Sequence, residues 1–493
     1  RTKMRVILVV LLLAHLTVAY HFGGEHYMKT RLTNGVRLGD ENEPLRLGAA
    51  EDTYFTGQIR DHFSPANENA LWSQRYFVND TFWGGPGSPV FLMIGGEGPL
   101  SSRYVEGAFV MGDWAKEHKA MQVAVEHRFY GKSYPTPDMS LENIHLLHSE
   151  QALADLVTFH DWFATKYNTG DDAKWVAFGG SYPGCLTAWF RLKFPHLVVG
   201  SVASSAPVNT KVDFSGYMDV VTFALNYFGG QGCVDAVTKG AEAVASLIET
   251  AEGRATIAKT FDLCEDVDLT NRLDVATLQG QLMGNVQGVV QYNHDGKPGM
   301  PSVEGLCSLA LNQTEPLMVM KAFQDAYGGA TPGECLEMSY TKSLDVLNNS
   351  TFDGTSSMRQ WTYQTCNQFG MFQTTSDQAE AFASFKALDV TFYAHICADV
   401  FGITRPPYAT FSNSYYGGDK NAGTNIVFVN GNIDPWHVLG ITNTTKLPQP
   451  TESAVFIDGT AHCADMYAPT ESDAPTLTAA RQKISDTISS WLA

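Results

Sequence analysis

Ser181 lies in a segment whose residue types suit a nucleophilic serine. It follows two glycines in the run Gly179–Gly184, between an apolar run typical of a buried strand and a segment typical of a helix. In this strand–turn–helix context, a sharp turn lifts the serine oxygen above the sheet, where it can attack a carbonyl carbon. Pro183 replaces the second glycine of the usual G-x-S-x-G pattern, but the first turn of a helix has no use for the missing N–H. The segment therefore predicts a catalytic nucleophile at Ser181.

Two later residues could complete a triad with this serine. Asp434 and His462 each come a few residues after an apolar run typical of a strand. The acid and the base of α/β hydrolases follow the nucleophile in this order, on loops after later strands. Taken alone, Asp434 could cap a turn and His462 could be placed by packing, and His437 is a rival base, although it begins a helix. The three contexts together predict the triad Ser181, Asp434 and His462.

Backbone N–H groups near Ser181 are candidates for an oxyanion hole. One is the N–H of Tyr182, the residue after the nucleophile. The other is expected in the glycine-rich loop at residues 95–99, which follows an earlier predicted strand, and belongs to Gly96 or Glu97. Such donors would stabilise the negative oxygen of a tetrahedral intermediate.

Three side chains are candidates for substrate binding. The carboxylate of Glu97 could face a substrate amine, or it could pair with Arg103 or Arg128. Trp361 and Trp436 could line a proline pocket, or they could belong to the core. Both alternatives stay open from the sequence.

The elements around these residues predict an α/β fold. Apolar runs that end in turns alternate with helical segments, which indicates a mostly parallel sheet with helices on both faces. The predicted strands are Val90–Ile94, Gln122–Val125, Trp175–Phe178, Val198–Val202, Ile426–Val429 and Ala454–Ile457. The predicted helices are Glu150–Lys166, Cys185–Phe194, Cys233–Glu252, Ser376–Leu388 and Thr476–Leu492.

The strand pattern is interrupted once, by a helical region that contains six of the eight cysteines. We interpret this region as a lid inserted between the nucleophile and the catalytic Asp. The predicted organisation is a signal peptide at 1–19, a first core part at 46–208, the lid at 209–395 and a second core part at 396–493. The cysteine spacings include no C-x-x-C pair and so give little support to a structural zinc site. We expect no bound metal and no cofactor.

The N-terminus and the composition indicate an exported protein. A basic residue, a short apolar run and small residues form the predicted signal peptide, and no later run is apolar enough to anchor the chain in a membrane. Glycosylation sequons occur at Asn79, Asn312, Asn348, Asn349 and Asn443. The net charge of −19 disfavours nucleic-acid binding. We expect a secreted or an endosomal/lysosomal protein, and a homodimer is left open.

Several motifs resemble the prolyl carboxypeptidase, dipeptidyl peptidase and thymus-specific serine protease family of serine exopeptidases. They are Gly179–Gly184, Tyr54–Phe63, Glu126–Gly131, Trp361–Cys366 and Asp434–His437, and the resemblance extends from about residue 54 to the end. The segments Asn413–Gly417, Val289–Tyr292 and His462-Cys463 are most similar to the thymus-specific branch. The resemblance implies an α/β-hydrolase fold with a helical lid, the same three catalytic residues, and cleavage of short peptides near a terminus, often beside proline.

The resemblance also implies roles for residues outside the triad. Together with their confinement to the lid, it implies the disulfides Cys233–Cys307, Cys264–Cys335 and Cys366–Cys397. Cys185 and Cys463 are then buried thiols or a fourth bridge. His127 and Arg128 are expected to be structural.

Two departures from the family pattern bear on the terminus that is recognised. Lysosomal members carry a second His and a nearby Arg after the catalytic His, whereas this chain has Cys463 and no Arg in the following residues. A substrate carboxylate should therefore be bound less strongly, whereas the Glu97 carboxylate could still bind a substrate ammonium group. A lid of this size is expected to let a peptide enter the site only by one of its ends. We therefore predict a dipeptidyl-peptidase type of exopeptidase; prolyl carboxypeptidase action, an esterase or lipase on the same fold, and a silent hydrolase used as a binding module are the alternatives.

Overall fold

A computed structural model describes residues 52–64, 70–293, 301–329, 333–377 and 380–493, and the predicted signal peptide lies outside these ranges. Eight strands form one sheet in the order β1-β2-β4-β3-β5-β6-β7-β8. The strands are β1 (Thr53–Ile59), β2 (Leu71–Asn79), β3 (Val90–Ile94), β4 (Met121–Val125), β5 (Trp175–Gly180), β6 (Gly200–Ser204), β7 (Ile426–Gly431) and β8 (Ser453–Ile457).

The direction of the strands brings the ends of β3, β5, β7 and β8 to one edge. β2 runs antiparallel to both β1 and β4, whereas all pairs from β4 through β3 to β8 are parallel. Loops that follow parallel strands therefore share the carboxyl edge of the sheet, which is where open α/β sheets bind their ligands. With the helices described next, this topology confirms the predicted α/β-hydrolase fold.

Helices cover both faces of the sheet because the strands are apolar on both sides. In β5, Trp175 and Ala177 belong to one core, whereas Val176 and Phe178 belong to the other. The helices Ser149–Tyr167 and Tyr182–Lys193 pack in the first core, and Met111–His118 and Pro475–Leu492 pack in the second. The short helix Leu141–Ile144 completes the core helices before the lid.

The lid occupies the chain between β6 and β7 and is helical. Its helices are Gly216–Ile248 with a kink at Gly230, Ala251–Phe261, Arg272–Gln291, Val303–Leu311, Pro316–Tyr327, Tyr340–Asn348, Met358–Gln364, Val390–Phe401 and Ala409–Tyr416. Three disulfides join Cys233 to Cys307, Cys264 to Cys335 and Cys366 to Cys397. These are the pairs that the family resemblance implies. Cys185 and Cys463 are free thiols.

The structure differs from the sequence expectations in three places. The predicted helix Ser376–Leu388 was wrong, because its described residues form turns instead. The hydroxyl of Thr375 donates to the carbonyl of Phe385, and the Thr375 N–H donates to that of Leu388, so this segment folds back on itself. Strands β1 and β2 were not predicted. The predicted lid boundary at residue 395 falls inside the helix Val390–Phe401, so the helical region extends further toward β7.

Within the described ranges, no helix combines the length and the apolar character that crossing a bilayer requires.

Candidate active site

Ser181 lies directly after β5 in a strained turn. Its φ is +64° and its ψ is −132°, a backbone conformation that residues other than glycine rarely adopt and that often marks functional sites. Its N–H donates to the carbonyl of Ser204 at the end of β6, at 2.9 Å. A Cβ on Gly180 would lie 2.3 Å from the sulfur of Met466 and 2.8 Å from that of Cys463. A side chain at position 180 would therefore displace side chains of the loop that follows β8.

The unusual Pro183 contacts the predicted oxyanion loop. A Cβ on Gly96 would lie only 2.1 Å from Cγ of Pro183, so the proline ring occupies the space that a side chain at position 96 would need. Tyr182 is the first residue of the helix, where an N–H has no carbonyl partner within the helix. The N–H groups of Gly96 and Glu97 both stay candidates for the second donor.

Asp434 and His462 form a buried pair between the loops after β7 and β8. Oδ1 of Asp434 accepts a hydrogen bond from Nδ1 of His462 at 2.9 Å and another from the Trp436 N–H at 3.0 Å. Asp434 is 0% exposed and His462 is 3% exposed. The rival base, His437, donates from Nδ1 to the backbone carbonyl of Asp434 at 2.8 Å. The carboxylate is thus directed to His462.

The environment of His462 favours its charged form. Burial alone would lower the pKa of this imidazole, but the attraction of the Asp434 carboxylate and the hydrogen bond to it outweigh burial and raise the pKa well above 6.5. The other ring nitrogen, Nε2, is buried and has no hydrogen-bond partner among the described residues. In the neutral form of the ring, Nε2 is the nitrogen that can take up a proton.

Glu97 lies beside both Ser181 and His462. Burial raises the pKa of its carboxyl to about 7, although its own N–H, the His462 charge and a hydrogen bond from Ser181 favour the ionised form. Neither arginine considered as its partner is directed to it: Arg128 binds Asp155 through two contacts of 2.6 Å, and Arg103 is attracted by Glu106. The carboxyl of Glu97 is therefore a titratable group within the site.

His127 is buried next to Tyr182, the residue that follows the nucleophile. Its Nδ1 donates to the carbonyl of Arg128 at 2.7 Å, and its Nε2 accepts from the hydroxyl of Tyr182 at 2.9 Å. Burial lowers the pKa of His127 to about 4, so the imidazole is neutral. This geometry holds the Tyr182 ring in place and agrees with the structural role expected for the motif.

The two tryptophans contact different parts of the site. The Trp436 ring lies 6.3 Å from the His462 ring and contacts Phe214 and Tyr217 of the lid at 5.5 and 5.7 Å. The Trp361 ring contacts Tyr182 at 5.7 Å and Phe369 at 6.3 Å. Trp436 thus borders the base, whereas Trp361 borders the residue after the nucleophile.

The lid supplies a residue that sequence reasoning missed. Gln291, which ends the helix Arg272–Gln291, accepts a hydrogen bond from the His462 N–H through its backbone carbonyl at 3.1 Å. Its side-chain oxygen accepts from Trp436 Nε1 at 2.9 Å and from the Tyr217 hydroxyl at 2.7 Å. Gln291 lies in the segment Val289–Tyr292, which carries part of the family resemblance, but its contacts could not be predicted because all three donors are distant in the sequence.

The predicted glycosylation sites differ in their surroundings. Asn312, Asn348, Asn349 and Asn443 are exposed. Asn79 is half-buried, and its amide nitrogen donates to the carbonyl of Val105 at 2.7 Å. A glycan on Asn79 would have to displace this contact.

One cluster in the described ranges brings together three groups of the kind that bind metals, namely Cys264, Asp266 and Glu337. Cys264 is bound in a disulfide, so its sulfur is not a thiolate ligand. The ammonium of Lys342 lies 2.6 Å from Asp266 and 2.8 Å from Glu337. A lysine therefore already neutralises the two carboxylates.

Comparison with known proteins identifies similar chains. The profile of the serine carboxypeptidase S28 family matches residues 58–484. The thymus-specific serine protease of Mus musculus is 36% identical over 90% of this chain and 88% of its own, and that of Homo sapiens is 34% identical over 95% and 92%. The lysosomal Pro-X carboxypeptidase of Bos taurus is 31% identical over 84% of this chain and 82% of its own.

Proposed function

The chain belongs to the serine carboxypeptidase S28 family and is a serine peptidase, and we propose that it is an exopeptidase that releases short N-terminal pieces from peptides. A dipeptidyl-peptidase type of cleavage beside proline is the form we favour. The observation that carries the proposal is the position of the Glu97 carboxyl, which shares the site with Ser181 and His462.

The proposed reaction proceeds through an acyl-enzyme. Nε2 of His462 takes the proton of the Ser181 hydroxyl as its oxygen attacks the scissile carbonyl, and Asp434 holds the ring and stabilises the imidazolium. The N–H group of Tyr182 and that of Gly96 or Glu97 stabilise the oxyanion. The imidazolium then protonates the leaving amine. In the second half of the reaction, His462 takes a proton from water as the water attacks the acyl-enzyme, and it returns that proton to the Ser181 oxygen as the acyl group leaves.

Glu97 supports recognition of the substrate's N-terminus. A bare carboxylate beside Ser181 would repel the negative oxygen of the tetrahedral intermediate. A substrate ammonium group that pairs with Glu97 removes this repulsion and also favours the ionised carboxyl. Binding of a free N-terminus and stabilisation of the intermediate are thereby linked, which a blocked N-terminus cannot provide.

The lid supports cleavage near a chain end. It spans the chain between β6 and β7, and three disulfides tie it together. Its Phe214 and Tyr217 pack against Trp436, whose ring lies next to His462. A helical layer this close to the base is the basis on which we propose that the loop of a folded protein is excluded and that a peptide enters by its end.

Removal of a C-terminal residue is the second candidate, favoured by the description of the family and by the name of the bovine relative. It would need a cation for the substrate carboxylate. The described neighbours of His462 are instead Asp434, the Cys463 thiol and the aromatic rings. For the same chain we propose a secreted or lysosomal location, supported by the three disulfides and by the lysosomal relative.

The terminus is tested with one proline-containing peptide in three forms: free ends, acetylated N-terminus and amidated C-terminus. We expect acetylation to lower kcat/KM about 10- to 100-fold, the range for loss of a hydrogen bond between charged groups, and amidation to change it little. The product masses distinguish release of one residue from release of two. Loss on amidation alone would reverse the assignment of the terminus.

A variant pair assigns the effect to Glu97. In Glu97→Gln, the free and acetylated peptides should be cleaved at similar rates, whereas Glu106→Gln in the same loop region should keep the wild-type preference. In the wild type, KM for the free peptide should fall as the pH rises through about 7, because the ionised form of Glu97 then predominates. A preference for free N-termini that survives in Glu97→Gln would exclude this role.

A further inference from the structure

Gln291 makes hydrogen bonds from its backbone and its side chain to the two loops that carry the proposed acid and base. It is 4% exposed and ends the lid helix Arg272–Gln291. Its backbone carbonyl accepts from the N–H of His462, and its Oε1 accepts from Trp436 Nε1 and the Tyr217 hydroxyl.

These contacts close a ring. The Trp436 N–H donates to Oδ1 of Asp434, and the same oxygen accepts from Nδ1 of His462. Hydrogen bonds therefore connect Asp434, Trp436, Gln291 and His462 in a cycle. Three members lie on the loops after β7 and β8, and Gln291 closes the cycle from the lid.

The side-chain oxygen of Gln291 satisfies two buried donors at once. Trp436 is 8% exposed and Tyr217 is 1% exposed, so neither donor could find water without moving. A buried donor that loses its acceptor has no other partner, which favours rearrangement of the ring that carries it. Because the Trp436 ring lies 6.3 Å from the His462 ring, such a rearrangement would reach the base.

We propose that Gln291 is a positioning residue for His462, through which the lid sets the rate of the chemical step. The inference rests on the proposed triad. Displacement of a reacting group by about 1 Å can lower a rate 100-fold, so a contact that fixes both the backbone of His462 and the neighbouring indole has a kinetic effect without touching substrate. The lid is then part of the catalytic apparatus as well as a cover.

Gln324 provides a matched control within the lid. It is 3% exposed, and its Oε1 also accepts two side-chain hydrogen bonds, from Gln281 Nε2 at 3.2 Å and from Asn285 Nδ2 at 2.9 Å. Its described partners lie on the lid helix Arg272–Gln291 and not on the loops of the triad. Gln324→Met and Gln291→Met thus remove the same kind of buried acceptor at two places.

The experiment compares both variants with the wild type by two readouts. The first is the rate at which a fluorophosphonate probe labels Ser181, normalised to the folded fraction; the second is kcat and KM for a peptide that the wild type cleaves. We expect Gln291→Met to lower the labelling rate and kcat about 10- to 100-fold with KM within about twofold. Gln324→Met should leave both rates within about threefold.

Two further variants keep the test decisive. Gln291→Glu retains an acceptor oxygen and should restore kcat at high pH, while its carboxylate moves the acid limb of the pH profile upward. If Gln291→Met fails to fold, Tyr217→Phe removes one donor and should lower the labelling rate in the same direction. Wild-type labelling at Ser181 together with unchanged rates in Gln291→Met and Tyr217→Phe would overturn the inference, whereas absence of labelling in the wild type would overturn the proposed triad instead.

Discussion

The carboxyl edge of the sheet and the lid meet at one site and contribute different interactions to it. The edge supplies a hydroxyl group and three ionisable groups, each held by a loop that follows a strand. They belong to Ser181, Asp434, His462 and Glu97. The lid supplies aromatic rings and an uncharged amide from Gln291. Changes at the edge should therefore abolish the chemistry, whereas changes in the lid should alter rate, selection or stability by smaller factors.

His462 and His127, both buried, show how strongly neighbours decide the protonation state of an imidazole. His462 faces the carboxylate of Asp434, and its pKa rises well above 6.5. His127 is also buried, but its ring donates to a backbone carbonyl and its pKa falls to about 4. Burial acts in the same direction on both, so the carboxylate makes the difference. A base therefore needs its acid partner more than it needs a particular position in the fold.

The largest effect is expected at the edge. Ser181→Ala should lower kcat about 10⁴- to 10⁶-fold with the fold intact, and His462→Ala should lower it nearly as far. His437→Ala, which removes the neighbouring imidazole that binds the Asp434 carbonyl, should change kcat less than about tenfold. Steady-state kinetics with circular dichroism as a check on folding measures all three. Equal losses in His437→Ala and His462→Ala would make the choice of base wrong.

A somewhat smaller loss is expected in Asp434→Asn. The amide keeps the shape of the side chain but no longer stabilises the imidazolium or fixes the tautomer, which should lower kcat about 10³- to 10⁴-fold. Asp458→Asn, just after β8 on the surface, is the matched control and should stay near the wild type. Similar activity in both variants would contradict the role of Asp434.

The free energy of unfolding should respond in the opposite way, with changes in the lid lowering it while the site at the sheet edge stays intact. Cys366→Ser combined with Cys397→Ser opens a bridge that spans 31 residues and should lower the free energy of unfolding of the lid by about 3.5 kcal/mol on the loop-entropy relation. Opening Cys233–Cys307, which spans 74 residues, should lower it by about 0.8 kcal/mol more. Urea titration measures both. In dilute buffer, labelling of Ser181 should persist, and its loss there would show that the edge depends on the bridges.

The smallest change is expected in the pH profile. Asp434 raises the pKa of His462, so the imidazole becomes protonated and inactive as a base at a pH above 6.5. Below that pKa, kcat/KM should fall tenfold for each pH unit. Asp434→Asn should move the limb to lower pH. Such a pH profile would favour the secreted location over the lysosomal one, because the enzyme would be most active near neutral pH. Activity that stays constant down to pH 5 would contradict the coupling of the pair.

The edge could be predicted from the sequence because its signals are local. Each triad residue follows an apolar run within a few positions, and β3 to β8 appear near the predicted strands. β1 and β2 were missed because they contain many polar and half-exposed residues. Ser376–Leu388 was predicted as a helix, whereas contacts from Thr375 determine its turns.

The lid's contribution could not be predicted because it depends on distant contacts. Gln291 meets Tyr217, Trp436 and His462, which lie on three separate segments of the chain. Likewise, Pro183 was expected to be tolerated as a helix-start residue, but its packing on Gly96 became visible only in three dimensions. Composition and spacing carry no information on such pairs.

Covalent trapping of the nucleophile tests the central claim most directly. The protein is treated with a fluorophosphonate probe, digested and mapped by mass spectrometry, with peptidase activity followed in parallel. The account predicts one adduct, on Ser181, that appears as activity is lost and is absent in Ser181→Ala and slow in His462→Ala. Full loss of activity with the adduct on another serine, or peptidase activity retained by Ser181→Ala, would contradict it.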